Sequence, residues 1–519
     1  MAAFAAHADA PGVYAITGGT VHTAAGADIA NGVVIVRDGL IEAVGAGIAI
    51  PADAAIIDAT NMHVYPGLID AETSLGFASA RTTPRRRGGG GRSAAQEAPA
   101  LPETSPSFLA ISNVKLSDDD LDAARSAGIT TILTVPANGI FNGQSVILNL
   151  GGGSAESRVV KQPATMQVSF NTRPTWTFPD SLMGVIAYIR QTLLDAQQYA
   201  AARAVYDRTP AGNKRPEENL SSQALGPVLR RELPVVFVAN DELMMRRAMN
   251  LAREFNLRPI LAGARQGYRM ADDLRQIPVL VSVNWPKPPA DKDDREDQPL
   301  RVIRDRQLAP TTPAVLIKSG ATFALVSGGA KSADFAGGIR KAMESGLSAD
   351  DALRATTIWP ARILGVDRQL GSLERGKIAN IVVTDKPIFD KARLVKRLLI
   401  DGREVRVMPA AEKKKGGASA IDGAWSLTVR SSQGDVAISA TLHNEDGTIT
   451  GTFSGDRGSG EIRNGSLDGT TIEFTIAVSA GNQSEAGDWV FHGTLSGTSM
   501  TGTVSTNLGS FQFTGSKAK

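Results

Sequence analysis

The stretch Val235–Val281, VVFVANDELMMRRAMNLAREFNLRPILAGARQGYRMADDLRQIPVLV, decides the fold class. Three short apolar runs, Val235–Val238, Pro259–Ala262 and Val279–Val281, read as buried strands. Between them Asp241–Phe255 and Tyr268–Gln276 read as helices. One helix between successive strands carries the chain back to the end where it started, so the strands are expected to lie parallel in an α/β body. The same alternation extends in both directions. Upstream, Asp119–Ala127 reads as a helix closed by Gly128, with Ile129–Val135 as the next strand. Downstream, Phe335–Ser345 and Ala349–Thr356 read as the closing helices.

The flanks speak a different language. Val33–Val36, the pair Asp38-Gly39 and Leu40–Val44 spell a hairpin, and Tyr14–Tyr65 as a whole is built of short strands. Ala379–Val383, Leu394–Ile400 and Asp401-Gly402 return to that chemistry. Residues 81–106 hold Arg85, Arg86 and Arg87, four consecutive glycines and four prolines, too little apolar surface to repay ordering, and read as a disordered loop. Lys413–Ser419 reads as a charged linker, with 409–420 as the boundary. Beyond it Gly-Thr-apolar recurs at Gly451, Gly493 and Gly502, and Trp425, Leu427, Val429 alternate with polar residues. Residues 421–517 are therefore expected to be about eight antiparallel strands closing as a separate barrel or sandwich.

At 519 residues the chain has room for three or four domains at roughly 150 residues each. Its 55 basic and 53 acidic residues leave a formal charge of +2, which excludes a global field for nucleic acid or anionic lipid. The absence of cysteine removes disulfides, thiolate metal sites and Cys nucleophiles together. No apolar run approaches the length of a membrane span. The Ala-rich opening Met1–Pro11 resembles the tail of a secretory signal, which points to a periplasmic or secreted protein; a plain flexible terminus on a cytoplasmic protein is the alternative.

The segment Tyr65–Gly76, YPGLIDAETSLG, resembles the entrance to the metal-dependent amidohydrolase superfamily, whose first barrel strand reads Pro-Gly-Leu-Ile-Asp-Ala-His-x-His. The block Gly346–Thr356, with Pro360–Gly365, Gly371–Lys377 and Asn380–Val383, resembles that family's exit, in its imidazolonepropionase-like and peptidase-like branch. The likeness spans about residues 14–408. It implies an α/β fold, a TIM-like (β/α)8 barrel over 66–365, with a composite β-sandwich from 12–65 and 366–408. It also implies metal-assisted hydrolysis of amide C–N bonds by a water whose pKa the metal lowers.

The ligand positions of that family are not kept here. The His-x-His pair falls on Glu72 and Ser74, the strand-four lysine on Gln167, the strand-five and strand-six histidines on Val238 and Gly263, and the strand-eight aspartate on Gly328. The five histidines are His7, His22, His63, His443 and His492, so none lies between 64 and 442. Imidazole is the usual ligand of a catalytic zinc, and a single carboxylate holds Zn²⁺ poorly. The expectation is a barrel with no metal, no cofactor and no assignable catalytic residue.

Other features are weighed against plainer readings. Glu72 could act as a lone base, although a carboxylate in that place is more often solvated or paired. Lys331 and Asp334 suggest a phosphate loop only weakly beside an ordinary strand-to-helix connection. Arg85–Arg87 reads as a solvated tether before a partner grip, His443 and His492 as separate strand residues before a shared metal, and Trp425 and Trp489 as core before stacking platforms. Three functions stay open. The chain is a pseudoenzyme subunit assembled with an active amidohydrolase paralogue; or a hydrolase with a non-standard or partner-completed site; or a binder acting through residues 421–517. A membrane span and a nucleic-acid partner are not expected.

Overall fold

The computed structural model describes residues 12–77, 105–173, 177–289, 298–407 and 421–518, apart from 432–433, 446–447, 456–457, 469, 479–486 and 507–508. The Ala-rich opening, almost all of the Arg- and Gly-rich 81–106 segment and the 413–419 linker lie outside the described residues. Two compact units emerge, residues 1–410 and 411–519.

The first unit begins with β1 (Val13–Val21), β2 (Ile29–Arg37), β3 (Leu40–Ala46), β4 (Ala55–Asp58) and β5 (His63–Pro66). It continues with β6 (Leu68–Thr73), β7 (Ile129–Thr134), β8 (Phe141–Gln144), β9 (Val146–Asn149), β10 (Val159–Lys161), β11 (Met166–Ser169), β12 (Val235–Ala239), β13 (Pro259–Gly263), β14 (Val279–Ser282) and β15 (Phe323–Val326). It ends with β16 (Ile381–Thr384), β17 (Val395–Ile400) and β18 (Arg403–Glu404). The expected hairpin is β2–β3, turning through Asp38 and Gly39, both at positive φ. Strands from both flanks share one eight-stranded sheet, because β16 pairs antiparallel with β5, Ile381 opposite Pro66 and Thr384 opposite His63.

In the α/β body β11 to β15 lie side by side and parallel in chain order, and β6 and β7 pair parallel in a second sheet. Both faces of these strands are covered, which is why they read as unbroken apolar runs. On β11, Met166 and Val168 pack outward with Val185 and Ile189 of the helix Leu182–Arg208, so the alternation of a strand sends Gln167 to the opposite face. A second cluster gathers Ile147, Val236, Ile260, Ala262, Leu280, Ala324 and Val326 with Ile363 and Leu364.

Two expectations need correction. Regular alternation fails after β7, where only residues 135–140 precede the next strand and that strand is reversed. β8 and β9, separated by Ser145 alone, run antiparallel to β11 and β7 respectively and so stitch the two sheets together. Between β13 and β14 the helix expected over Tyr268–Gln276 is a single 3-10 turn, Gly267–Arg269, followed by further turns. Asp305 holds that turn, accepting from the Tyr268 hydroxyl at 2.6 Å and from Arg269 at 2.8 Å, while Leu274 is fully buried beneath it. The segment offers few apolar side chains for a helical stripe, and tertiary anchoring prevails over its propensity.

The second unit is β19 (Gly423–Ser431), β20 (Gly434–Glu445), β21 (Thr448–Gly455), β22 (Gly458–Glu461), β23 (Arg463–Asp468), β24 (Thr471–Val478), β25 (Gly487–Ser496), β26 (Ser499–Thr506) and β27 (Gly509–Lys517). Eight of them form a closed antiparallel ring, with β22 as a short branch on β21 and β19 joining β27 to β20. The barrel, not the sandwich, is the form adopted. Its inside is filled by side chains, including buried Trp425 and Trp489, Phe474 stacked on Phe491 at 4.8 Å, and Phe513 edge-on to Phe491 at 4.9 Å. The recurring Gly-Thr has a physical cause. A Cβ on Gly451 would lie 1.8 Å from the Thr441 carbonyl oxygen, and one on Gly502 would lie 2.0 Å from that of His492. Strands approach too closely there for any side chain. Among the described residues no helix of either unit is long and apolar enough to cross a membrane.

Candidate functional site

Ligands of parallel α/β sheets bind beyond the carboxyl ends of the strands, and Glu72, Ser74, Val238, Gly263 and Gly328 lie at or just past that end of β6, β12, β13 and β15, whereas Gln167 lies within β11. Glu72 is the penultimate residue of β6 and half-buried, with Ser74 just past the strand. Gln167 is the second residue of β11, buried, and its Oε1 has no hydrogen-bond partner. Val238 lies near the end of β12 and is partly buried, Gly263 closes β13, and Gly328 follows β15 by two residues.

The structure ties the end of β6 to the residue that follows β15 through Asp70 and Ser327. The Ser327 N–H donates to Asp70 Oδ1 at 2.9 Å, and the Ser327 hydroxyl reaches the Glu72 carbonyl at 3.4 Å. Burial raises the Asp70 carboxyl to about 6, against the pull of its hydrogen bonds. Although Glu72 keeps some surface, desolvation first and the neighbouring Asp70 second push its carboxyl up to about 7. Two carboxyls thus lie two residues apart on β6, Glu72 being the one that the resemblance sets at the first histidine.

Space at the strand-six and strand-eight positions is taken. Gly328 has φ +55°, and a Cβ there would fall 2.0 Å from Ser282 Oγ. Gly263 has φ +91°, and a Cβ there would fall 2.5 Å from Asn240 Oδ1. Asn240 in turn accepts from Arg265 Nε at 3.1 Å. Among the described residues no three of His, Asp and Glu converge as metal ligands would.

The remaining candidates resolve plainly. Lys331 and Asp334 begin the helix Ser332–Glu344, in an ordinary strand-to-helix connection. His443 and His492 stand on β20 and β25, which are not neighbours in the ring. Sequence reasoning did not single out Asp70, Asn240, Arg265, Ser282 or Ser327. Asp70 stood in the quoted motif, but its burial is a property of the packed strands; Arg265 had no signal beyond following Gly263.

Residues 306–405 match the model of the amidohydrolase family. The first unit is also similar to a solved amidohydrolase from Thermotoga maritima MSB8, with TM-score 0.65 and 24% identity over 76% of this chain and 100% of that one. Weaker likenesses are to a putative prolidase from Bifidobacterium longum, with TM-score 0.45 and 17% identity over 77% and 96%, and to A. niger ochratoxinase, with TM-score 0.46 and 14% identity over 76% and 96%. The matched segment includes the stretch Gly346–Val383 that carried the resemblance, and the likeness to the solved amidohydrolase is one of fold.

Proposed function

We propose that this amidohydrolase-family chain is a non-catalytic subunit that assembles with an active, metal-dependent amidohydrolase cleaving amide or peptide C–N bonds. What supports the reading is the donor set at the six family ligand positions: one carboxylate, a serine, an amide, a valine and two glycines. At Gly263 and Gly328 neighbouring side chains occupy the room a ligand would need. Such a set does not fit a divalent centre, and no step of hydrolysis is derived through one. The barrel then serves as a scaffold around a strand-end site that binds. Size-exclusion chromatography of native extract with mass spectrometry tests it. The expected result is coelution with a histidine-bearing amidohydrolase, with activity following that partner's ligands. A lone species with intact hydrolase activity would overturn it.

One observation favours a second reading, an active hydrolase working through a non-standard site. The Glu72 carboxyl, raised to about 7, could hold and release a proton near neutrality. Turnover of an amide by the pure chain, lost in Glu72→Gln, would establish this reading over the first.

A further inference from the structure

Beyond β13 the backbone makes a tight turn built to place one side chain. Gly263 and the fully buried Ala264 both have positive φ, +91° and +40°. A left-handed alanine is sparsely populated and persists only where its surroundings fix it. Here they do: the Ala264 N–H donates to the Ala239 carbonyl at 2.8 Å, the Gln266 N–H to the Asn240 carbonyl at 3.0 Å, and the Thr312 hydroxyl to the Arg265 carbonyl at 3.0 Å. The residue so presented is Arg265.

Arg265 is partly buried, and burial alone, with no charged neighbour contributing, disfavours its cationic form. A guanidinium nevertheless stays protonated. Its one side-chain hydrogen bond among the described residues is Nε to Asn240 Oδ1, and it forms no ion pair there. Among the described residues the terminal nitrogens of the fork therefore have no partner. A desolvated cation with no counter-ion is costly to keep, and a ligand oxyanion would relieve that cost with two parallel N–H···O bonds. Asn240 fixes the orientation of the fork and can do so only because Gly263 has no side chain.

We infer that Arg265, oriented by Asn240 over Gly263, makes the strand-end site a receptor for a small oxyanion, a carboxylate such as that ending a peptide being the planar match to its fork. The inference deepens the reading of that site as one that binds, and is independent of which partner subunit is present. The full-length chain is titrated calorimetrically with N-acetylglycylglycine, its C-terminal amide, acetate and inorganic phosphate. Asn240→Asp supplies an internal counter-ion while keeping Arg265, and so keeps the fold testable; Arg265→Met removes the charge. The acid should bind and its amide should not, and both variants should bind the acid about tenfold or more weakly. Binding of phosphate but no carboxylate would support the oxyanion site and make its ligand a phosphate. Equal binding of acid and amide, unchanged affinity in Asn240→Asp, or no binding of any of the anions would overturn it. None of these outcomes depends on coelution with an amidohydrolase, so the two proposals fail separately.

Discussion

Asp70 shows how a residue can be plain in the sequence and its chemistry hidden. Buried between β6 and β15, it binds the Ser327 N–H and is held well above an ordinary aspartate. An acid with a raised native pKa keeps its proton to higher pH folded than unfolded, so the native state loses stability as pH rises from about 4 to about 6. Asp70→Asn keeps the acceptor oxygen and has no such loss. Its melting temperature relative to the unsubstituted protein should therefore climb across that window and level off above pH 7; a difference independent of pH would contradict the assignment. Gly328→Asp would return the family's residue to its aligned place. With Ser282 Oγ 2.0 Å from the Cβ, overpacking should cost about 1–3 kcal/mol in denaturant unfolding and recruit no metal. Unchanged stability with bound metal would refute the packing argument. The residue types at Glu72, Ser74, Gln167, Val238, Gly263 and Gly328 are read directly from the sequence. The surroundings of Arg265 are not, since which side chains stand beside it is a fact of three dimensions.

At the scale of elements, the strands of the regular βα units were legible, whereas β8 and β9 and their reversed direction were not. An apolar run such as Val146–Asn149 records burial, but nothing in it says that β8 and β9 run against their neighbours. That direction follows from a six-residue connection too short for a crossover helix. The flank sheet is tied to the α/β body by buried amides equally invisible in sequence. Asn149 Oδ1 accepts from Thr131 at 2.7 Å and from Asn380 at 2.9 Å, while its Nδ2 donates to Asp401 at 2.6 Å. The Asp401 N–H returns to Asn380 Oδ1 at 2.9 Å. Asn149→Ala leaves a half-buried carboxylate and buried donors short of partners, which should cost about 2–3 kcal/mol. Equilibrium unfolding in urea measures it, and a loss under about 0.5 kcal/mol would show the network to be replaceable by water.

For the whole molecule, the change of composition after residue 420 and the Gly-Thr recurrence marked a separate antiparallel barrel or sandwich, and the ring of eight strands carries its own core of Trp425, Phe474, Phe491 and Phe513. Residues 421–519 expressed alone should melt in one cooperative transition; an unfolded fragment would mean that the first unit supplies part of its core. The account's central claim is the proposal that the strand ends of the first unit do not hold the metal that the resemblance implies. Metal analysis of the intact, dialysed protein tests this most directly. The account predicts far less than one transition-metal ion per chain, unchanged by Glu72→Ala. About one zinc per chain that survives dialysis and disappears in Glu72→Ala would contradict it.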